Sequence, residues 1–140
     1  MDTASNILET IEMISEDRLD IRTVTMGISL LDCADSDGRR ARRRCCERIA
    51  RRAADLVSVC EAIETELGIP IINKRVSVTP IALVAAASRE SALTPWAQML
   101  DEAAAAVGVD FIGGFSALVE KGATASDLAL IDSIPEALSS

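Results

Sequence analysis

Segments rich in β-branched or aromatic residues alternate along this chain with segments of helical periodicity, and no other feature constrains its fold as strongly. Residues 20–29, 69–79 and 109–115 predict three strands, in which polar and apolar residues alternate in part. Helical stretches of ten or more residues separate them, which is typical of right-handed crossovers between parallel strands. The order predicts an α/β protein of three successive strand–helix units.

The helical stretches themselves are marked by apolar stripes and by terminating residues. The first stripe starts at Ile7 and its helix is expected to end near Asp17. Residues 39–67 predict one long helix with a continuous apolar stripe, ended by Gly68. The other predicted helices are 80–87, 96–107 and a last one capped by Ser126.

Composition and charge exclude several classes of protein. The chain has 140 residues, of which 49% are hydrophobic and 26% charged, as expected for one folded globular domain over residues 1–140. A net charge of −8 argues against nucleic-acid partners and anionic membranes. The longest apolar run, residues 81–87, is too short to span a membrane. With no targeting segment at the start, a cytoplasmic location is expected.

The four cysteines are expected to be buried free thiols. They form no Cys-x-x-Cys pair, and the chain has no histidine, so neither a metal site nor a cofactor is expected. In a reducing cytosol, isolated cysteines are usually small apolar core residues.

An arginine-rich segment breaks the acidic character of the chain. Residues 39–52 hold eight arginines and one glutamate, a local charge of +7, which leaves −15 for the remainder. Spacing predicts an i,i+4 ladder along the helix surface, formed by Arg43, Glu47, Arg51 and Asp55. Three further cations lie near the helix N-terminus, where the dipole disfavours them: Arg39, Arg40 and Arg42. The segment is expected to be a solvated face or a subunit contact, with an acidic partner or bound anion as the alternative.

Four segments, residues 20–33, 68–80, 109–122 and 133–138, together resemble the start of an uncharacterised bacterial and archaeal family labelled the PFL family. The resemblance covers the whole chain. It implies a relation to the glycyl-radical barrel of pyruvate formate-lyase, a ten-stranded α/β barrel made of two five-stranded parallel halves. It also implies a homodimer, with no established activity.

The resemblance further implies that this chain corresponds to the N-terminal third of a larger barrel domain, since family members are roughly three times longer. Three strands would then supply part of one half-barrel. Glycyl-radical chemistry does not carry over, because residues 75–78 lack the glycine that the radical motif needs. The implied relation is one of fold, and fold does not give function.

Residues that follow the strands are the first candidates for a site, because parallel α/β folds bind ligands beyond the carboxyl ends of their strands. After the first strand, Asp32 and Cys33 are weak catalytic candidates, as an acid or base beside a thiolate nucleophile. The alternative is an Asp that caps a loop beside a buried, inert Cys.

The second strand carries charges in its interior, at Asn73-Lys74-Arg75. Charges are costly there unless they are paired or bound to a ligand. A phosphate or carboxylate is one explanation, held by Asn73 and by the same-face residues Arg75, Ser77 and Thr79. The alternative is neutralisation of Lys74 and Arg75 within the fold, by Asp20, Asp32 or Asp110.

After the third strand, Gly113, Gly114 and Ser116 do not form a phosphate-loop motif. Glycines here permit close approach of a ligand, or simply a bulge or tight turn. Lys121 follows in a loop that reaches the same rim. Two functions are therefore expected as alternatives: binding or conversion of a small anionic metabolite, or a non-catalytic structural or interaction segment with no independent activity.

Overall fold

The computed structural model describes residues 3–15 and 20–139, and the predicted end of the first helix near Asp17 lies outside them. The elements in chain order are α1 (Thr3–Ser15), β1 (Ile21–Ile28), a 3-10 turn (Leu31–Cys33), α2 (Gly38–Arg52), α3 (Leu56–Leu67), β2 (Ile71–Val78), α4 (Ile81–Ala85), α5 (Thr94–Val107), β3 (Phe111–Gly113) and α6 (Ala125–Ala137).

The three strands form one parallel sheet in the order β1-β2-β3, which confirms the predicted α/β class and the strand–helix units. Each connection moves the chain one strand further in the same direction. When successive right-handed crossovers move the same way, their helices lie on the same face of the sheet. In agreement, α2 packs against α5, α3 against β2, and α5 against β3.

The core lies between these helices and one face of the sheet. On β2 it receives Val76 and Val78, which are 0% and 7% exposed. Its largest side chain is Trp96 of α5, which is fully buried. Other core residues from β1, α2 and α5 are Ile28, Cys45, Ile49 and Leu100. Burial of these apolar groups is the main stabilising term of the domain.

The single helix predicted over residues 39–67 is wrong, because the helix is interrupted at residues 53–55. The Ala53 N–H still donates to the Ile49 carbonyl at 2.9 Å, but the Leu56 N–H donates to Ala53 at 3.1 Å, as in a tight turn. Ala53 and Leu56 are both buried. The apolar stripe therefore continues from α2 into α3 across the interruption.

Two other predicted boundaries also change. The last helix is capped by Thr124, whose hydroxyl accepts from the Asp127 N–H at 3.2 Å while Asp127 accepts from the Thr124 N–H at 2.8 Å. Ser126 lies inside the first turn and donates to the Ala82 carbonyl. The third strand is shorter than residues 109–115, because the chain leaves the sheet at Gly114 to contact the start of α4.

Candidate functional site at the open sheet face

Beyond the buried Ile71 at the start of β2, one face of the sheet is largely uncovered in the part of the chain that the structure describes. On β2, the side chains that alternate with Val76 point away from the helices, and their register partners on β1 and β3 share that face. Thr25, Arg75 and Phe111 are exposed there. Parallel sheets normally have both faces covered. We call this surface the open sheet face and define it by Thr23, Thr25, Gly27, Asn73, Arg75, Ser77, Phe111 and Gly113.

The strand register arranges the open sheet face in rows across the three strands. One row is Thr25–Arg75–Phe111, and the next row toward the carboxyl ends is Gly27–Ser77–Gly113. Neighbouring strands lie about 4.8 Å apart, so each row spans about 10 Å. Two rows therefore offer an area that matches a small metabolite, and the second row lies at or next to the carboxyl ends of its strands, near which parallel α/β folds bind ligands.

Arg75 is the cation of this face, at the centre of its row. Within residues 3–15 and 20–139, its side chain has neither an ion pair nor a hydrogen bond. Neutralisation by Asp32 or Asp110 does not hold, since Asp32 binds Arg48 and the Asp110 carboxylate accepts from the Lys74 backbone N–H at 2.7 Å. The guanidinium of this exposed residue is left without a partner among the described residues.

Lys74 points to the other face and is neutralised inside the fold. Its Nζ lies 3.3 Å from Glu64 and donates to the Ile71 carbonyl at 3.2 Å. The Ile71 N–H donates a hydrogen bond to the Glu64 carboxylate, and this bond, together with Lys74, lowers the pKa of Glu64. The alternative of internal neutralisation therefore applies to Lys74, with an acid other than the three that were predicted, and not to Arg75.

Gly27 and Gly113 leave open space on either side of Ser77. A Cβ added to either glycine meets no atom within 4 Å. Ser77 is half-buried, and its hydroxyl has no hydrogen-bond partner among the described residues. The row therefore presents one free hydroxyl, flanked by two glycines, beside Arg75.

Asn73 and Thr79 have structural partners. The Asn73 amide donates to the Arg22 carbonyl at 3.1 Å, and the Thr79 hydroxyl accepts from the Leu30 N–H at 3.0 Å. Both contacts link β2 to β1, so Thr79 joins the ends of the two strands.

The segment after β3 also holds the scaffold together. The Gly114 carbonyl accepts from the Ile81 N–H at 2.8 Å, and the Ser116 carbonyl accepts from the Ala82 N–H at 3.3 Å. These bonds satisfy donors at the start of α4 that have no partner within the helix. Lys121 does not join the site, because its side chain is 91% exposed and lies nearest Glu120.

Asp32 is held by arginines of α2. Arg48 donates to both of its carboxylate oxygens, at 2.9 and 2.6 Å, and Arg44 donates to its backbone carbonyl. The hydrogen bond from Arg48 lowers the pKa of Asp32. A carboxylate held ionised in this way is unsuited to donate a proton near neutral pH.

Cys33 packs under α2, on the helix side of the sheet. It is 2% exposed and lies beside the buried Cys45. Burial, and to a lesser degree Cys33, raises the pKa of Cys45 to about 12. Asp32 and Cys33 are therefore not brought to the open sheet face, and their catalytic role stays a prediction.

Thiol modification tests this placement. We expect DTNB at pH 8 to modify Cys33, Cys45 and Cys60 at least about a hundredfold more slowly in the native chain than in guanidinium chloride, because all three are buried. Cys46, which is half-buried, is the internal control and is expected to react first. Rapid native modification mapped to Cys33 by mass spectrometry would instead indicate an accessible thiolate.

Several side chains of the arginine segment form ion pairs with acidic residues of neighbouring loops. Its short ion pairs join Arg40 to Asp35 at 2.6 Å and Arg42 to Glu90 at 2.8 Å, besides the pair of Arg48 with Asp32. Hydrogen bonds from Arg40 strongly lower the pKa of Asp35. The i,i+4 ladder is confirmed only at its first pair, Arg43–Glu47, at 3.8 Å. These ion pairs hold the loops that follow β1 and α4 against α2.

The structure adds three residues that the sequence analysis missed: Thr25, Gly27 and Phe111. A signal for the first two exists in β1, where polar residues or glycine occupy every second position from Thr23 to Gly27. Phe111 gives no such signal, because its position beside Arg75 depends on the pairing of β3 with β2.

The described residues contain no group of three or more acidic or cysteine side chains arranged to hold a metal ion. No helix among them has the length and apolar character needed to cross a bilayer.

A family profile described as Uncharacterised ACR (DUF711) matches residues 12–140. The chain is 60% identical over 134 residues to a UPF0210 protein of Clostridium botulinum, and 60% identical over 134 residues to one of Listeria monocytogenes. It is 60% identical over 136 residues to a UPF0210 protein of Pelotomaculum thermopropionicum. These matches cover 96–97% of this chain, and the chain spans about 30% of the length of each relative.

Proposed function

Because this chain belongs to the Uncharacterised ACR (DUF711) family, for which no specific function is named, we propose its function from its own geometry: it binds a small anion, a carboxylate or a phosphate, at the open sheet face. Arg75 supplies the charge. The Ser77 hydroxyl and the Thr25 hydroxyl donate hydrogen bonds beside it.

The observation that carries this proposal is the unpaired guanidinium at the centre of the sheet. A planar guanidinium presents parallel donors that match a carboxylate or phosphate in a bidentate way. Arg75 has no acidic partner among the described residues, whereas four arginines of α2 have one within 3.6 Å. The fold thus pairs those arginines internally and leaves the donors of Arg75 available.

We also propose that the sheet is one arc of an α/β barrel in the longer relatives, with the open sheet face turned to the barrel interior. Supporting this, the strand order does not reverse direction, and the buried Val76 and Val78 of β2 lie on the face opposite the exposed Arg75. A structure of the longer Listeria protein tests it. Further strands beyond β1 or β3 are expected, whereas helices packed on both sheet faces would contradict the barrel.

Calorimetric titration with inorganic phosphate, and separately with malonate, tests anion binding. We expect Arg75→Gln to weaken binding at least about tenfold, because charge-assisted hydrogen bonds are lost. Arg22→Gln is the matched control: Arg22 is exposed on the same sheet but lies on the opposite face, and its affinity is expected to stay within about twofold of the parent.

Equal affinity in the two variants would contradict the proposal. So would the absence of binding in the unmodified chain, which is the result expected of the rival hypothesis, a structural or interaction segment without a ligand.

A further inference from the structure

We infer that the anion held by Arg75 is attached to an aromatic ring, so that the ligand class is an aryl carboxylate or aryl phosphate. This inference rests on the proposed anion site and adds the apolar half of the ligand. The residue that carries it is Phe111.

Phe111 is the direct neighbour of Arg75 on β3. The two residues are paired in the strand register, which places their side chains on the same face about 4.8 Å apart at the backbone. Phe111 is 57% exposed in the described structure, although the other phenylalanine and the tryptophan of the chain are half-buried and buried. The exposed ring offers a flat apolar surface on an otherwise polar face, and covering that surface with an apolar group is favourable.

The ring of Phe111 is not occupied by the neighbouring cation. Among the described residues, the guanidinium placed over an aromatic ring is that of Arg42, 5.6 Å from the centre of Trp96. Arg75 and Phe111 therefore present two separate binding groups, one for an anion and one for a flat apolar surface.

The two sides of Arg75 differ in the same way: the β1 side is polar, and the β3 side is apolar and open. On the β1 side, Arg75 is flanked by the Thr25 hydroxyl, which suits anionic oxygens. On the β3 side, Gly113 follows Phe111 on the same face and leaves open space beyond the ring. When the anionic group of a ligand contacts Thr25 and Arg75, a ring attached to that group therefore lies against Phe111. The open space at Gly113 accommodates the part of the ring that extends past Phe111.

The experiment compares inorganic phosphate with phenyl phosphate by calorimetric titration. In the unmodified chain, phenyl phosphate is expected to bind about tenfold more tightly, because stacking adds to the apolar area that is buried. In Phe111→Ala, this advantage is expected to disappear while the affinity for inorganic phosphate stays within about twofold. Leu118→Ala, which truncates an exposed apolar side chain in the loop after β3, is expected to keep the full advantage.

The outcomes separate this inference from the anion site itself. If inorganic phosphate binds in an Arg75-dependent way and phenyl phosphate binds no more tightly, the aromatic ligand class is overturned and the anion site remains. If Phe111→Ala weakens both ligands equally, Phe111 acts through the fold and the inference is also overturned. If neither ligand binds the unmodified chain, both proposals fail.

Discussion

Replacing Glu90 with alanine is expected to lower the free energy of unfolding by about 2–3 kcal/mol, because it leaves two donors in the domain interior without an acceptor. Glu90 accepts from Arg42 at 2.8 and 2.9 Å and from the Trp96 indole N–H at 2.8 Å. The Ser88 hydroxyl donates to the same carboxylate at 3.1 Å. For a chain of this size, the change corresponds to a thermal midpoint lower by about 5–10 °C.

The position of Glu90 explains why the loss is large. Trp96 is fully buried, and the side chains of Arg42 and Glu90 are only 18% and 28% exposed. The Glu90 carboxylate also lies against Gly38 at the start of α2, where a Cβ would collide with it. One acidic side chain therefore connects α2, α5 and the loop after α4. Urea unfolding of Glu90→Ala measures the effect, with Glu61→Ala on the exposed surface of α3 as the control.

The pH dependence identifies the ionised carboxylate as the stabilising species. Burial acts to raise the pKa of Glu90, but hydrogen bonds from Arg42, Trp96 and Ser88 outweigh it, so the pKa lies below the ordinary value of 4.5. A lowered pKa means that this stability is present above about pH 4.5 and is lost as the pH falls through the folded-state pKa. The stability difference between the parent and Glu90→Gln is expected to shrink in that acid range. A difference that is constant from pH 7 to pH 3, or a Glu90→Ala loss no larger than that of Glu61→Ala, would contradict this account.

Two adjacent glycines are expected to respond very differently to alanine. Gly114 has a φ of 139°, and a Cβ there would collide with the Val78 side chain and lie 3.0 Å from the Val78 carbonyl oxygen. Gly114→Ala is therefore expected to cost about 3 kcal/mol through backbone strain and overpacking. At Gly113 a Cβ meets open space, so Gly113→Ala is expected to change stability by no more than about 0.5 kcal/mol.

Chemical unfolding of the two variants under identical conditions measures this contrast. The Gly114 carbonyl also accepts from the Ile81 N–H, so any shift of this segment weakens the start of α4. Equal destabilisation by the two substitutions would show that the close approach of Gly114 to Val78 does not limit the fold.

Much of the architecture follows from local patterns in the sequence. The strands, the parallel order and the burial of Val76 and Val78 were predictable, because alternation and helical spacing report which face of each element is apolar. The interruption at residues 53–55 was not, because no glycine or proline marks it and the apolar stripe runs on through it. In the fold, α2 packs against α5 whereas α3 packs against β2, and local spacing does not report such partners.

Some residues of the candidate site were likewise predictable from local patterns, and others were not. Arg75 and Ser77 were predictable as one face of a strand, since side chains alternate along it. Gly27 and Phe111 depend on register, which is set by pairing between distant strands and not by local composition. The Arg42–Glu90 pair joins residues 48 positions apart, and no pattern along the chain indicates that contact.

The central claim, that the open sheet face binds an anion through Arg75, is tested most directly by amide chemical shifts during a titration with inorganic phosphate. The account predicts that the largest shifts occur at Thr25, Arg75 and Ser77, and that Arg75→Gln abolishes those at Thr25 and Ser77. Shifts centred instead on the arginine segment, residues 39–52, would contradict the account, because they would place the anion on α2 and leave the open sheet face without a ligand.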